Sequence, residues 1–275
     1  MRGKILRLEP PLVMGILNIT PDSFFAESRL RTDDLTQIKE RAARLLAEGA
    51  DILDVGGYST RPGAAQVDPE AELERVIPVI ALLAGAFPET PISIDTFRAD
   101  VATAAVAAGA HIVNDVSGGT LDPEMFSAVA ALQVPYVLMH MRGTPATMNT
   151  LTEYNEVTAD VMTELREKIF RLRQMGVSDV IVDPGFGFAK TPEQNFSLVA
   201  DLEIFHTLDC PILLGVSRKS TIVKTLGTTA ENALNGTTVL NTLALMAGVQ
   251  ILRVHDPKAA REAILLTEKV KKIKL

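Results

Sequence analysis

Short apolar runs alternate with longer amphipathic segments along the whole chain. Eight runs rich in Val, Ile and Leu lie at 13–19, 51–57, 91–96, 111–118, 135–140, 179–185, 211–217 and 251–255. Each run is almost continuously hydrophobic, which is typical of parallel strands that are covered on both faces. The segments between the runs show helical periodicity, with examples at 34–49, 69–85 and 153–176. The pattern therefore predicts eight strand–helix units.

Local signals at the start of several segments support the helical interpretation. An acidic residue followed by proline suits an N-cap before the first helical position. The three such pairs are Asp68-Pro69, Asp122-Pro123 and Asp256-Pro257. Thr191 and Gln194 have the spacing of a capping box, with a proline between them. Helices are therefore predicted to begin at these four points.

Eight strand–helix units predict an α/β fold, a (β/α)8 TIM-type barrel that forms one domain over residues 1–275. The length of 275 residues is compatible with one barrel. An open doubly wound sheet is the alternative. No G-x-G-x-x-G follows a predicted strand, so a dinucleotide-binding version of that sheet has no support.

Composition narrows the choice of partners. The net charge of −7 and the pI of about 5.2 argue against nucleic acid or an anionic membrane as a main partner, but allow a local anion site. One cysteine, Cys210, excludes an intramolecular disulfide and suits a reducing compartment, so a cytoplasmic location is predicted. The first residues lack the apolar region of a signal peptide, and no clean span of about 20 apolar residues predicts a transmembrane helix.

Polar residues recur at the end of every predicted strand, which is where the active site of such a barrel lies. One subset comes from the third, fourth and sixth strands and consists of Asp95, Asn114 and Asp183. Carboxylates and an amide can hydrogen-bond the donor-rich edge of a flat polar heterocycle such as an aminopyrimidinone. The same groups could bind a metal, although hard-metal sites usually use closer clusters of oxygen ligands.

A second subset comes from the eighth, first and second strands, which are neighbours in a closed barrel. Arg61, Arg253 and His255 suit a phosphate or pyrophosphate, and the oxygen of Asn18 could join a Mg²⁺ bound to that anion. Lys219, at the end of the seventh strand, is predicted to lie between the heterocycle and the anion.

Other polar residues have plainer interpretations. Asp54, Asp115 and His140 are interpreted as groups that satisfy the backbone or support a neighbour. His111 is assigned a structural role. Arg218 is interpreted as a residue that orients its loop or a neighbouring carboxylate.

Several stretches, taken in order, resemble the dihydropteroate synthase family of pterin-binding enzymes. They include MGILNITPDSF (14–24), DVGGYSTRPGA (54–64), VDPGFGFAKTPEQN (182–195), GVSRKS (215–220) and RVHDP (253–257). The resemblance covers nearly the whole chain, and several joint motifs make it specific.

The resemblance implies a transferase of folate biosynthesis. Such an enzyme condenses 6-hydroxymethyl-7,8-dihydropterin diphosphate with 4-aminobenzoate, in an SN1-like order, to give 7,8-dihydropteroate and pyrophosphate. It also implies Mg²⁺ as cofactor, these small molecules as partners, a homodimer, and a target of sulfonamides that compete with 4-aminobenzoate.

The resemblance also implies roles for individual residues. Asp95, Asn114, Asp183 and Lys219 would hold the pterin, with Met139 and Phe188 flanking it. Asn18, Arg61, Arg253 and His255 would hold the diphosphate, with Asn18 near Mg²⁺. Thr60, Pro62, Lys219 and Ser220 would border the aminobenzoate. The catalytic residues would be Asp95, Lys219, Arg253 and His255.

Three positions depart from the family pattern. FFAESRL (24–30) replaces a loop that often carries paired glycines, Tyr58 stands where glutamate is usual, and Ala189 stands where glycine is usual. Loss of glycine is predicted to restrict mobile loops. Two alternatives therefore remain: a non-catalytic pterin-binding paralogue, and a corrinoid-dependent, pterin-dependent methyltransferase on the same barrel. The methyltransferase would not need the SRKS and RVHD segments.

Overall fold

The computed structural model describes residues 6–19, 32–58 and 67–274. Thr60, Arg61 and Pro62 lie outside the described residues, as does the segment 24–30. The strands are β1 (Leu12–Asn18), β2 (Ile52–Gly56), β3 (Ile92–Asp95), β4 (Ile112–Asp115), β5 (Tyr136–Met139), β6 (Val180–Asp183), β7 (Leu213–Leu214) and β8 (Ile251–Val254).

Helices follow the strands in the described part of the chain. They are α1 (Thr32–Ala47), α2 (Pro69–Ala86), α3 (Ala99–Ala108), α4 (Met125–Leu132), α5 (Val157–Gln174), α6 (Pro192–Ala200), α7 (Ser220–Leu226), α8 (Leu234–Met246) and α9 (Pro257–Lys274). Short 3₁₀ helices lie at Met148–Thr150 and Leu202–Leu208.

All eight strands are parallel and form one sheet in the order β6-β5-β4-β3-β2-β1-β8-β7. The sheet closes through a bridge between Val182 and Ile212, and the amide of Val182 donates to the carbonyl of Pro211 at 2.8 Å. The prediction of a (β/α)8 barrel is confirmed, and the open-sheet alternative is wrong. The seventh strand is shorter than the predicted run at 211–217, so this junction is the least extensive of the eight.

The alternation of side chains along each strand separates two apolar layers. One face of the strands packs with the helices in the main core, where Val13, Leu53 and Val113 are fully buried. The other face supplies a separate cluster inside the barrel, formed by Leu12, Met14, Ile52, Ile112, Val137, Ile181, Leu213 and Ile251. Leu6 and Leu8 pack against this cluster. Apolar side chains therefore fill the amino-terminal end of the barrel, and polar groups remain at the other end.

Two of the predicted helix starts are confirmed in detail. The side chain of Asp68 accepts from the amide of Glu70 at 3.0 Å and caps α2. Thr191 and Gln194 form the reciprocal hydrogen bonds of a capping box at α6.

The other two aspartates also have partners outside their own helices. α4 begins at Met125 rather than at Pro123. Oδ1 of Asp122 accepts from the amide of Glu124 at 3.0 Å, and its Oδ2 accepts from the amide of Ala99, the first residue of α3, at 2.8 Å. α9 begins at Pro257 as predicted, but the carboxylate of Asp256 pairs with Arg218. Both prolines tolerate these positions because neither needs to donate a backbone hydrogen bond.

Cys210 is a buried free thiol, and burial raises its pKa. None of the helices in the described ranges is both long and apolar enough to cross a membrane. The cytoplasmic location stays a prediction.

Candidate active site

The strand register places several predicted site residues at one level of the barrel. Asn18 on β1 pairs with Gly56 on β2, Gly56 pairs with Asp95 on β3, and Asp95 pairs with Asn114 on β4. Gly56 leaves the space between its neighbours open, because a Cβ there would lie 3.6 Å from Oδ1 of Asn18 and 3.5 Å from Cβ of Asp95. The carboxyl ends of the strands therefore form a polar floor.

A pocket of about 560 Å³ opens above this floor. Seven of the predicted site residues line it: Asn18, Asp95, Phe188, Lys219, Ser220, Arg253 and His255. Asn114, Asp183 and Met139 are buried and do not line the pocket wall. The structure thus places Asp95 of the first predicted subset and Arg253, His255 and Asn18 of the second around one cavity.

Arg253 lies at the centre of a buried charge cluster. Its Nε donates to Oδ2 of Asp54 at 2.7 Å, and its Nη2 donates to Oδ2 of Asp95 at 2.5 Å. Nδ2 of Asn114 donates to Oδ2 of Asp54 at 3.2 Å. Asp54 is completely buried, so it supports two predicted site residues without facing the pocket.

Burial sets the protonation of these groups. It raises the pKa of Asp95 to about 7, against the opposing charge of Arg253. Burial alone would lower the pKa of Arg253, but the carboxylates of Asp54 and Asp95 raise it, so the guanidinium stays charged. Asp95 can therefore exchange a proton near neutral pH, which suits a group that hydrogen-bonds a heterocycle.

Asp183 and Lys219 are two further buried titratable groups of the site, and they interact electrostatically. Burial raises the pKa of Asp183, and the charge of Lys219 opposes this shift. Burial lowers the pKa of Lys219 to about 8, and Asp183 opposes that shift in turn. Lys219 is therefore still mainly a cation at pH 7.

The lysine is held close to the loop that follows β6. Nζ of Lys219 donates to the carbonyl of Phe186 and lies 4.4 Å from the ring centroid of Phe188. Gly187 has φ of 82°, and a Cβ there would lie 2.8 Å from Cδ of Lys219. A glycine is required at this point because any side chain would meet the lysine stem in a strained conformation.

Arg218 orients its loop, which is the role that the sequence analysis gave it. Its Nε and Nη2 donate to the two carboxylate oxygens of Asp256 at 2.8 and 2.7 Å. Its Nη1 donates to the carbonyls of Ala230 and Glu231 at 3.0 and 2.9 Å. The side chain thus joins the segments after β7, α7 and β8. His255 is placed by Ser217, whose Oγ lies 3.0 Å from its Nδ1.

A buried network around Glu72 and Arg98 was not predicted from the sequence. Glu72 of α2 is completely buried, and its Oε1 accepts from Oγ1 of Thr96 at 2.8 Å. Arg98 pairs with Glu72, donates to the carbonyl of Val67 at 2.6 Å, and lies 5.5 Å from the ring centroid of Tyr58. The available signal was that Glu72 falls on the apolar stripe of its helix, together with buried residues four and seven positions later.

The barrel and its pocket define an enzyme that binds a polar heterocycle at the carboxyl ends of the strands. The model of the family described as Pterin binding enzyme matches residues 14–255, and the chain belongs to this family.

Individual relatives and solved structures indicate which enzymes of this family the chain resembles. The chain is 42% identical to dihydropteroate synthase of Escherichia coli, over 97% of this chain and 94% of the relative. A Yersinia pestis dihydropteroate synthase solved with a sulfonamide drug complex has a TM-score of 0.92 and 38% identity, covering 98% of both chains. The Xanthomonas albilineans dihydropteroate synthase in complex with 7,8-dihydropteroate has a TM-score of 0.86 and 39% identity, covering 98% of this chain and 97% of the other. Within the pterin-binding enzymes, the chain thus groups with the dihydropteroate synthases, which are transferases of folate synthesis.

Proposed function

We propose that the chain condenses 6-hydroxymethyl-7,8-dihydropterin diphosphate with 4-aminobenzoate, giving 7,8-dihydropteroate and pyrophosphate in an SN1-like order. One observation carries the proposal: a single pocket is lined by the carboxyl group of Asp95 together with Lys219, Arg253 and His255, and Asp183 is buried at the end of β6. The carboxylates suit the pterin, and the cations suit the diphosphate.

The pterin would bind at the floor. Asp95, Asn114 and Asp183 lie on β3, β4 and β6, and each is at least nine-tenths buried. Buried carboxyl and amide groups need hydrogen-bond partners, and the ring nitrogens and amino group of a pterin supply them. Met139 and Phe188 belong to one apolar cluster, which would cover the faces of the ring.

The cations would act on the leaving group. The C–O bond between the pterin methylene and the diphosphate breaks, and its electron pair leaves with pyrophosphate. Arg253 and His255 stabilise this charge more as it develops, which accelerates the step. The remaining cation is conjugated with the ring and lies near Asp95. The lone pair of the arylamine then forms the C–N bond, and the amine proton passes to solvent.

Mg²⁺ is proposed as the cofactor. Among the residues that the structure describes, no cluster of three or more His, Cys, Asp or Glu side chains could hold a metal ion. Asn18 lines the pocket and offers one neutral oxygen. This donor set fits a Mg²⁺ that is carried mainly by diphosphate oxygens and water. When bound, the ion would neutralise part of the diphosphate charge.

The direct test is pyrophosphate release followed together with dihydropteroate in one reaction. We expect equal amounts of both products, dependent on 4-aminobenzoate, with loss of turnover on chelation and recovery with added Mg²⁺. Turnover that survives chelation would contradict the metal proposal only. Tight pterin binding without either product would favour the non-catalytic paralogue, and methyl transfer to a corrinoid would favour the methyltransferase.

We also propose a homodimer, with α8 and α9 at its interface. Each helix carries an exposed apolar stripe at positions i, i+4 and i+7: Val239, Leu243 and Met246 on α8, and Leu266, Val270 and Ile273 on α9. These two helices pack side by side. Neighbouring apolar stripes form a contiguous patch, and patches of that kind mark association sites.

Leu243→Glu is expected to convert the dimer into a monomer of 29.7 kDa, because the interface would then bury an unpaired charge. Light scattering after gel filtration measures the mass. Phe170→Glu is the matched control, since Phe170 is 63% exposed on α5, outside the patch. A monomeric parent protein, or equal dissociation by both variants, would contradict the proposed interface.

A further inference from the structure

The loop after β6, residues 184–191 and here called loop six, is held by two lysines. Lys219 donates to the carbonyl of Phe186. Nζ of Lys190 donates to the carbonyls of Gly185 and Phe188 at 3.1 and 3.0 Å. Three carbonyls of one short loop therefore accept from two ammonium groups, only one of which belongs to the predicted site.

Lys190 is itself fixed by a chain of polar contacts under the loop. Its Nζ lies 3.0 Å from Nδ1 of His140, and Nε2 of His140 lies 2.9 Å from Oε2 of Glu164. Oε1 of Glu164 accepts from Nε and Nη2 of Arg142 at 3.0 and 2.5 Å. The contacts join loop six to α5 and to the segment after β5.

The hydrogen-bond donors of Lys190 determine which ring nitrogen of His140 carries a proton. Burial lowers the pKa of Lys190 to about 7, so below that pH the group is an ammonium with three donors, and the three acceptors around it use all of them. Nδ1 of His140 must then accept, so its Nε2 carries the proton that Glu164 accepts. The ring is therefore neutral, consistent with a pKa for His140 that burial and the charge of Lys190 lower to about 4.

A further hydrogen bond holds loop six at Ala189, the residue before Lys190. The hydroxyl of Tyr154 donates to the carbonyl of Ala189 at 3.0 Å, and the guanidinium of Arg142 lies 3.9 Å from the Tyr154 ring centroid. Ala189 has φ of 51°, a left-handed conformation that costs a non-glycine residue about 1 kcal/mol. Its buried methyl packs in one cluster with Met139 and Met148, so packing and tethers keep the loop in this conformation.

The loop that these contacts hold forms one wall of the pocket. Gly187 and Phe188 line the pocket, and the Phe188 ring lies beside Nζ of Lys219. We propose that Lys190 is a positioning residue, which acts through the carbonyls of Gly185 and Phe188 to set Phe188 and Lys219 against the bound pterin. The inference rests on the proposed function, because the pterin diphosphate is the ligand whose binding it improves.

Lys190→Met tests the inference, because methionine keeps most of the side-chain volume and removes all three donors. We expect the KM for the pterin diphosphate, and the Kd for 6-hydroxymethyl-7,8-dihydropterin, to rise about tenfold, as the loss of hydrogen bonds from a charged donor predicts. Lys190→Gln keeps two donors and should restore most of the binding.

The matched control is Arg261→Met. Arg261 also pairs with a carboxylate, that of Asp51, and donates to the carbonyl of Gly49 at 2.8 Å, but it lies at the amino-terminal end of the barrel. This variant should lower the melting temperature without changing KM or Kd. If Lys190→Met behaves in the same way, its role is structural and the inference fails.

A double-variant cycle shows whether Lys190 acts through Phe188. The effects of Lys190→Met and Phe188→Leu on Kd should combine to less than their product, because the first already displaces the second group. Independent effects would overturn the inference.

If Lys190→Met does not fold, Tyr154→Phe removes only the tether at Ala189. It should raise Kd about threefold, which is less than the value of one full hydrogen bond. An unchanged Kd then counts against the inference. An inactive parent enzyme would contradict the proposed function instead. The Kd for the pterin would still test the effect of Lys190 on loop six.

Discussion

Lys219→Met lowers kcat/KM for condensation by about 10²–10³-fold, the scale of losing one preorganised charged donor in an active site. The lysine interacts electrostatically with Asp183 and Arg253, and its ammonium group donates to the carbonyl of Phe186 in loop six. Methionine keeps the apolar stem but cannot donate a hydrogen bond or balance the charge of Asp183. Continuous pyrophosphate release measures the effect, and thermal unfolding shows whether the barrel is intact.

Lys224→Met is the control for that result. Lys224 lies on the same helix, α7, but it is exposed and makes no contact with the pocket. Its replacement should leave turnover within twofold, as expected for a surface substitution worth about 0.5 kcal/mol or less. Unchanged turnover in Lys219→Met, or equal losses in both variants, would show that the assignment of Lys219 is wrong.

Arg253→Met has two separable consequences. Removing the guanidinium leaves Asp54 completely buried without its cation, and breaking such a pair costs about 3 kcal/mol of unfolding free energy. The variant should also bind the pterin diphosphate much more weakly, while it binds the pterin without diphosphate nearly as well as the parent does. Denaturant unfolding measures the first effect, and calorimetric titration with both ligands measures the second.

A second substitution separates stability from binding. Asp54→Asn combined with Arg253→Met removes the unpaired carboxylate, so it should recover much of the lost stability. It should not restore the preference for the diphosphate. Equal losses for the two ligands in Arg253→Met would contradict the assignment of Arg253 to the anion, since a general disturbance of the floor would affect both.

The sequence predicted the fold and the location of the site because both depend on local signals. Continuous apolar runs indicate parallel strands, and the carboxyl ends of those strands must meet at one end of a closed barrel. The sequence therefore predicted that Asp95 and Asn114 lie at the same end of the barrel. Length, in contrast, was overestimated for β7, where only Leu213 and Leu214 pair as a strand.

The contacts that organise the site could not be predicted in the same way. Arg253 and Asp54 are 199 positions apart, and nothing near either residue indicates the other. Arg218 pairs with Asp256, which from local sequence reads only as a helix cap. The sequence analysis assigned no role to Lys190, whose contact with Nδ1 of His140 joins residues 50 positions apart. Partners of this kind are determined by closure of the barrel, not by neighbours in sequence.

Tyr58 is one of the positions that depart from the family pattern, and the structure shows its contacts. The Tyr58 ring packs edge-on against Phe97, with centroids 5.1 Å apart, and Arg98 lies nearby. An aromatic ring and a cation thus stand beside the pocket where a carboxylate is usual in the family. The predicted restriction of the loops by Tyr58 and Ala189 stays a prediction, and the segment 24–30 lies outside the described residues.

The short junction between β6 and β7 links ligand binding to the stability of the barrel. This seam has one bridge, whereas the other junctions are longer ladders. Asp183 is the last residue of β6, and Lys219 lies in the segment after β7. A molecule that contacts both residues would bridge β6 and the segment after β7 at the carboxyl ends of the strands. Since a ligand that binds only the closed form stabilises that form, occupancy and the integrity of the barrel are thermodynamically linked. A substrate bound to Asp183 and Lys219, as proposed, would therefore stabilise the closed barrel.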